Sequence, residues 1–155
     1  MFCYQCEQTA KGVGCDISGV CGKQPDVATL QDLLVYALTG LAQVAVAAKK
    51  KGIRDRAADV FACEALFATI TNVDFDPDRF VPLIRRAIAL RDGLLEKVRA
   101  AGAAADLSGD AVTFKPAADL AGMISQGDDH GIQSYPAPDD DVLSLKHTLL
   151  YGMKG

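Results

Sequence analysis

Apolar residues recur at helical spacing through much of the chain, and three long amphipathic helices follow from that pattern. Leu30, Leu33, Leu34, Ala37, Leu38, Leu41, Ala45 and Ala48 form one stripe, because residues three and four apart share a helix face. The stripe predicts a helix of about six turns starting near Asp26. Thr29 with Asp32, or Asp26 one turn earlier, supplies the expected N-cap, and Gly52 the stop. A second helix is expected over residues 56–72, with Val60, Cys63, Phe67 and Ile70 along one side. Its apolar surface is broad, as in a helix covered on more than one side. Asp76 and Pro77 give a cap followed by a first-turn proline, and Phe80, Leu83, Ile84, Ala87, Ile88, Leu94, Leu95 and Val98 carry a third helix that Gly102 closes. Strand-type alternation is nearly absent. An all-α fold is therefore expected, with an antiparallel three-helix bundle over 26–102.

The flanking segments read differently. Residues 1–25 hold four glycines and four cysteines with little apolar periodicity, which describes a loop that something other than a core must hold. Residues 103–140 are rich in alanine, glycine, aspartate and proline, and predict a connecting segment with one short helix over 117–126. The stretch 126–141 reads as a surface connection. Residues 141–155 echo residues 26–40: aspartate, valine, two leucines, tyrosine and glycine match position for position. The simplest reading is a second bundle that opens as the first does. Its first helix would stop about four turns in, so the sequence looks like an N-terminal fragment of something longer.

Composition narrows the class. The chain has 155 residues, half of them hydrophobic, enough for one domain with a real core. The net charge is −4, and the basic run Lys49-Lys50-Lys51 falls where a helix ends and cations meet its dipole. Nucleic acid is therefore not an expected partner. No secretory leader is visible in the first residues. The most apolar stretch, 33–48, is broken by Thr39, Gly40 and Gln43 and falls short of the roughly 20 residues a spanning helix needs. The expectation is a soluble, cytoplasmic protein with no membrane partner.

The chemistry lies in the cysteines. Cys3-x2-Cys6-x8-Cys15-x5-Cys21 places four thiols in the first 21 residues, and in a reducing compartment such crowding favours metal over disulfides. The Cys-x2-Cys step lets two thiolates converge on one centre. The other two sit on a glycine-rich return, with Gly12 and Gly14 before Cys15 and Gly19 before Cys21, where φ > 0 turns can wrap backbone around a small inorganic object. Four thiolates suit an iron–sulfur cluster or a structural zinc. The five-residue spacing of the second pair is unlike the paired short knuckles of zinc ribbons, yet spacing alone leaves both open. With Lys11 and Lys23 against Glu7 and Asp16, the loop does not read as a thiolate-activating pocket.

Other candidates carry less. Cys63 reads as an inert core cysteine on the apolar side of the second helix. His130 and His147 read as surface residues without a second ligand at metal spacing. Asp74, Asp76 and Asp78 read as helix-start carboxylates, because the glycine and terminal glutamate of a calcium loop are missing.

The same residues carry a family resemblance. Met-Phe-Cys-Tyr-Gln-Cys-Glu-Gln-Thr-Ala-Lys at the start, Gly14-Cys15, and Gly19-Val20-Cys21-Gly22-Lys23 resemble the opening of the hybrid-cluster (prismane) proteins, a family also called hydroxylamine reductases. The likeness continues through Leu30-Gln-Asp-Leu-Leu, Leu66-Phe-Ala-Thr-Ile-Thr-Asn72 and the closing Leu-Leu-Tyr-Gly-Met-Lys-Gly. The resemblance implies that Cys3, Cys6, Cys15 and Cys21 bind an electron-transfer cluster, a [4Fe-4S] cubane for this short spacing. It implies a helical first domain of two three-helix bundles. It further implies a redox donor protein, and a hybrid iron–sulfur–oxygen cluster that reduces hydroxylamine, or nitric oxide, on ligands in later α/β domains. None of those ligands is assigned to Cys63, His130 or His147, so this chain is expected to pass electrons without catalysing the reduction. Two alternatives stand beside it: a standalone iron–sulfur electron-transfer protein and a zinc-stabilised helical interaction domain.

Overall fold

The computed structural model describes residues 3–6, 13–70, 72–102, 107–131 and 136–155. Glu7, Lys11 and Gly12 of the cysteine loop lie outside them. Among the described residues the regular elements are helices: α1 (Pro25–Lys50), α2 (Arg56–Ala68), α3 (Pro77–Ala100), α4 (Asp110–Thr113), α5 (Leu120–Asp129) and α6 (Asp140–Lys154). The all-α expectation holds.

Helix α1 is the axis of the fold, and α2, α3, α4 and α5 all pack on it. Its stripe meets Phe61 and Ala65 of α2, Phe80, Ile84 and Ala87 of α3, and Met123 of α5 in one core cluster. Val44 and Ala48 join Leu94, Leu95, Val98 and Val112 in a second cluster. By length and composition α1 would span a bilayer, contrary to the length argument from 33–48. Its most apolar window is instead more than half buried within the protein, which makes it a core helix here.

The helix boundaries follow local chemistry. α1 starts earlier than expected: Gln24 is the N-cap and Pro25 occupies the first turn, where its fixed φ and missing N–H cost nothing. Thr29 and Asp32 therefore lie inside the helix, and Asp26 accepts from the Val27 amide at 2.8 Å. Gly52 (φ +73°) and Gly102 (φ +72°) stop α1 and α3 as expected. Asp76 caps α3 by accepting from the Asp78 amide at 3.0 Å. α2 ends at Ala68, short of residue 72, and Asn72 itself takes a left-handed φ of +66°, which no helix continues through.

The buried face of α2 differs from the expected one. Ala58, Phe61 and Ala65 face the core, whereas Val60, Cys63 and Phe67 are exposed. Two alanines flanking one large ring let α2 approach its neighbours closely, and the Arg86 guanidinium lies 4.8 Å from the Phe61 ring centroid. Cys63 is thus not a core cysteine. It lines an apolar groove between α1 and α2 with Leu41, Ala45 and Ile53.

Within 103–140, α5 runs over Leu120–Asp129, a few residues later than expected, and the short α4 was not anticipated. Both lie against α1. Arg91, almost fully buried, holds this segment by donating to the carbonyls of Ala111 (3.1 Å) and Phe114 (2.8 Å). Asp119 and Asp139 cap α5 and α6.

Candidate thiol-rich metal centre

The cysteine loop folds onto the start of α1 through short-range backbone contacts. Cys3 and Cys15 face each other across an isolated antiparallel bridge, with Cys15 N–H donating to Cys3 O at 2.7 Å and Cys3 N–H to Cys15 O at 3.4 Å. Gly14 makes the return possible, at φ +99°. Gly19 acts otherwise than expected. Its φ is not positive; a Cβ there would fall 2.9 Å from the Lys23 carbonyl oxygen and 3.0 Å from the Lys23 Cβ. Glycine lets the turn around Cys21 close on Lys23, through Gly19 N–H to Lys23 O (2.7 Å) and Gly22 N–H to Gly19 O (2.8 Å).

All five cysteines are free thiols. Cys15 is buried, and Cys3, Cys6 and Cys21 are half-buried. Burial pushes the Cys3 thiol pKa up, opposed by a hydrogen bond from the Gln5 amide and by the Lys23 charge. The structure brings Cys3 and Cys15 together. It does not gather Cys6 and Cys21 with them: among the described residues no three His, Cys, Asp or Glu side chains form a metal-holding group. The donor set still fits a thiolate-bound centre in kind. It offers four free thiols on one irregular loop, hinged at Gly14 and at Gly22 (φ +94°), with an amide and an ammonium directed at one sulfur.

Lys23 and Gln31 are the residues that sequence reasoning missed. Both are fully buried. Lys23 Nζ donates to Gln31 Oε1 at 2.7 Å and lies 4.0 Å from Cys3 Sγ. Gln31 Nε2 donates to the Asp74 carbonyl at 3.3 Å, in the segment before α3. The amide orientation is forced, since the ammonium can only donate and the carbonyl can only accept. The only sequence signal was Lys23 directly after a Cys-Gly turn at the foot of a helix.

A second layer comes from α6. His147, expected at the surface, is buried: the Tyr4 hydroxyl hydrogen-bonds to its ring, and Tyr151 meets the Tyr4 ring edge-on at 6.1 Å. Burial, then the neighbouring Tyr4, push the Tyr151 hydroxyl pKa up. Lys154 is buried as well and is held down at about 8, chiefly by desolvation. The charge of Asp32 on α1 is felt by Cys3, Tyr4, Tyr151 and Lys154. His130, read as a surface residue, is half-buried and stacks on Tyr36 at 3.9 Å. It serves packing between α1 and α5, and the structure does not bring it to the cysteines.

An all-helical domain with a thiol-bearing loop clasped between its first and last helices defines a class of protein, and comparison supplies the family. The prismane/CO dehydrogenase family model matches residues 1–155, and the chain belongs to that family. It is 57% identical over 155 residues to a hydroxylamine reductase of Syntrophobacter fumaroxidans, covering the whole chain and 29% of that protein. A hydroxylamine reductase of Solidesulfovibrio magneticus is 56% identical, with 28% of its length covered. One of Methanocella arvoryzae is 53% identical, with 29% covered. The chain thus spans less than a third of the length of the curated relatives it matches.

Proposed function

We propose that this chain is the electron-transfer part of a hydroxylamine reductase, in which Cys3, Cys6, Cys15 and Cys21 hold a [4Fe-4S] cluster. The observation that carries the reading is the Cys3–Cys15 bridge, which sets two of the four cysteines opposite each other on a glycine-rich loop. When bound, such a cluster stores and releases one electron at a time. The four thiolates leave no open coordination position, which suits a relay better than a substrate site. The bridge and the Gln5 amide hold Cys3 in place, and the loop is tied to α1 by Lys23–Gln31 and to α6 by Tyr4–His147.

On this reading a redox donor protein in the cytoplasm supplies the electrons. Hydroxylamine, or nitric oxide, is reduced at a hybrid iron–sulfur–oxygen cluster held outside the matched region, hydroxylamine going to ammonia and water. The chain alone therefore passes electrons and does not reduce hydroxylamine.

The test is iron and acid-labile sulfide per chain after anaerobic purification, with EPR of the reduced sample. About four of each and a reduced-cluster signal support the cubane. Cys15→Ser should lose both iron and sulfide while keeping its helical circular dichroism. Zinc without sulfide, or native iron and sulfide in Cys15→Ser, overturns the reading.

A further inference from the structure

We propose that Lys23 is the residue that sets the reduction potential of the thiolate-bound cluster, through a buried ammonium placed against the Cys3 sulfur and aimed by Gln31. The inference rests on the cluster reading above and adds to it a residue outside the ligand set. A lysine with no exposed surface is costly to bury and is kept only where its donors are used. Here one donor is satisfied by Gln31 Oε1 at 2.7 Å, and Cys3 Sγ lies 4.0 Å from the same nitrogen. The position is built in from both sides: the turn at Gly19 leaves no room for a Cβ beside Lys23, and Gln31 is itself held by the Asp74 carbonyl.

Reduction adds one negative charge to a cluster and its thiolates. A cationic donor beside one ligand sulfur stabilises the reduced state more than the oxidised one, and raises the potential. With Lys23 fully buried and Cys3 half-buried, solvent screens that interaction only in part. Asp32 opposes it but weighs on Cys3 less than Lys23 does. Lys154, the other cation acting on this layer, has no hydrogen-bond partner among the described residues, whereas Lys23 is fixed. Lys23 is thus a positioning residue for electron transfer, acting through Cys3.

The experiment is a spectroelectrochemical titration of the full chain, wild type against Lys23→Met, with iron and sulfide counted in each. Lys23→Met should keep its cluster and show a lower midpoint potential. At a fixed poise its oxidised-to-reduced ratio should rise at least tenfold, which is about 59 mV for one electron. Gln31→Glu places a carboxylate against the ammonium and should lower the midpoint in the same sense. It decides the matter if Lys23→Met does not load. A loaded variant with the wild-type midpoint overturns the inference and leaves the cluster reading intact. If neither variant holds iron and sulfide, Lys23 is an anchor of the loop and the inference fails. A wild-type chain without iron and sulfide removes the cluster reading itself, and this inference with it.

Discussion

Replacing Gly40 by alanine tests the packing on which the whole arrangement depends. In an exposed helix the change is favourable, because glycine in a helix interior costs about 0.5–1 kcal/mol relative to alanine. Gly40 is not in such a place. A Cβ there would lie 2.1 Å from the carbonyl oxygen of Ala111, 2.7 Å from its carbon and 3.4 Å from Arg91 Cδ. Two of those atoms are backbone, so relief requires moving α4 away from α1. That movement stretches the bond from Arg91 to Ala111 O, now 3.1 Å. Overpacking costs roughly 1–3 kcal/mol and a hydrogen bond from a charged group about 1.5–3. Offset by the helix preference of alanine, the net loss is about 2–5 kcal/mol, or a fall in Tm of roughly 5–15 °C for a chain of this size. Gly93→Ala is the control: nothing lies within 4 Å of its Cβ, so it should gain about 0.5–1 kcal/mol. Thermal unfolding followed by far-ultraviolet circular dichroism reads both. If Gly40→Ala is as stable as Gly93→Ala, the close approach of α1 and α4 is wrong.

Two further predictions concern α2. Cys63 is exposed, so in the iron-loaded chain a maleimide should label it within minutes and Cys63→Ala should abolish that labelling; an unreactive Cys63 would restore the core assignment. The Lys97 ammonium, 2.8 Å from Asp55, together with the Ala58 and Ala57 amides, holds the Asp55 carboxyl below its usual range. A depressed pKa contributes stability above the unfolded value of about 3.9 that is lost as pH falls through the folded value. Asp55→Asn keeps a capping oxygen but should flatten that acid-range loss in urea titrations, and an unchanged pH profile would refute the assignment.

The helices were legible because burial on one face imposes a period, and Leu30, Leu34, Ile84 and Val98 state it directly. Caps were legible where a short polar side chain meets its own backbone, as at Asp76. The start of α1 was misread because Pro25 overrides the better capping side chains after it. The face of α2 was misread because Val60, Cys63 and Phe67 are apolar but lie outward, while the decisive contacts belong to two alanines and Phe61. At the candidate site the four cysteines announce themselves by spacing. Lys23 and His147 do not: a lysine reads as solvent-facing until its turn is seen folding inward, and the partner that His147 meets, Tyr4, is 143 residues away. The α6 stripe shows the converse. Leu145, Leu149 and Met153 repeat the register of Leu30, Leu34 and Leu38, yet they remain exposed, because patterning records a face to be covered and not what covers it.

The pairing of Tyr4 with His147 also sets an order of events in time. At a synthesis rate of about 5–20 residues per second, the ribosome needs roughly 7–30 s to travel from one to the other. The thiols of the loop are made early in that interval, well ahead of α6, whose His147 later meets Tyr4. The nascent loop therefore meets the cell's metal and oxidant chemistry before α6 can pack against Tyr4. The same seconds leave the thiols open to metal capture and to oxidation alike.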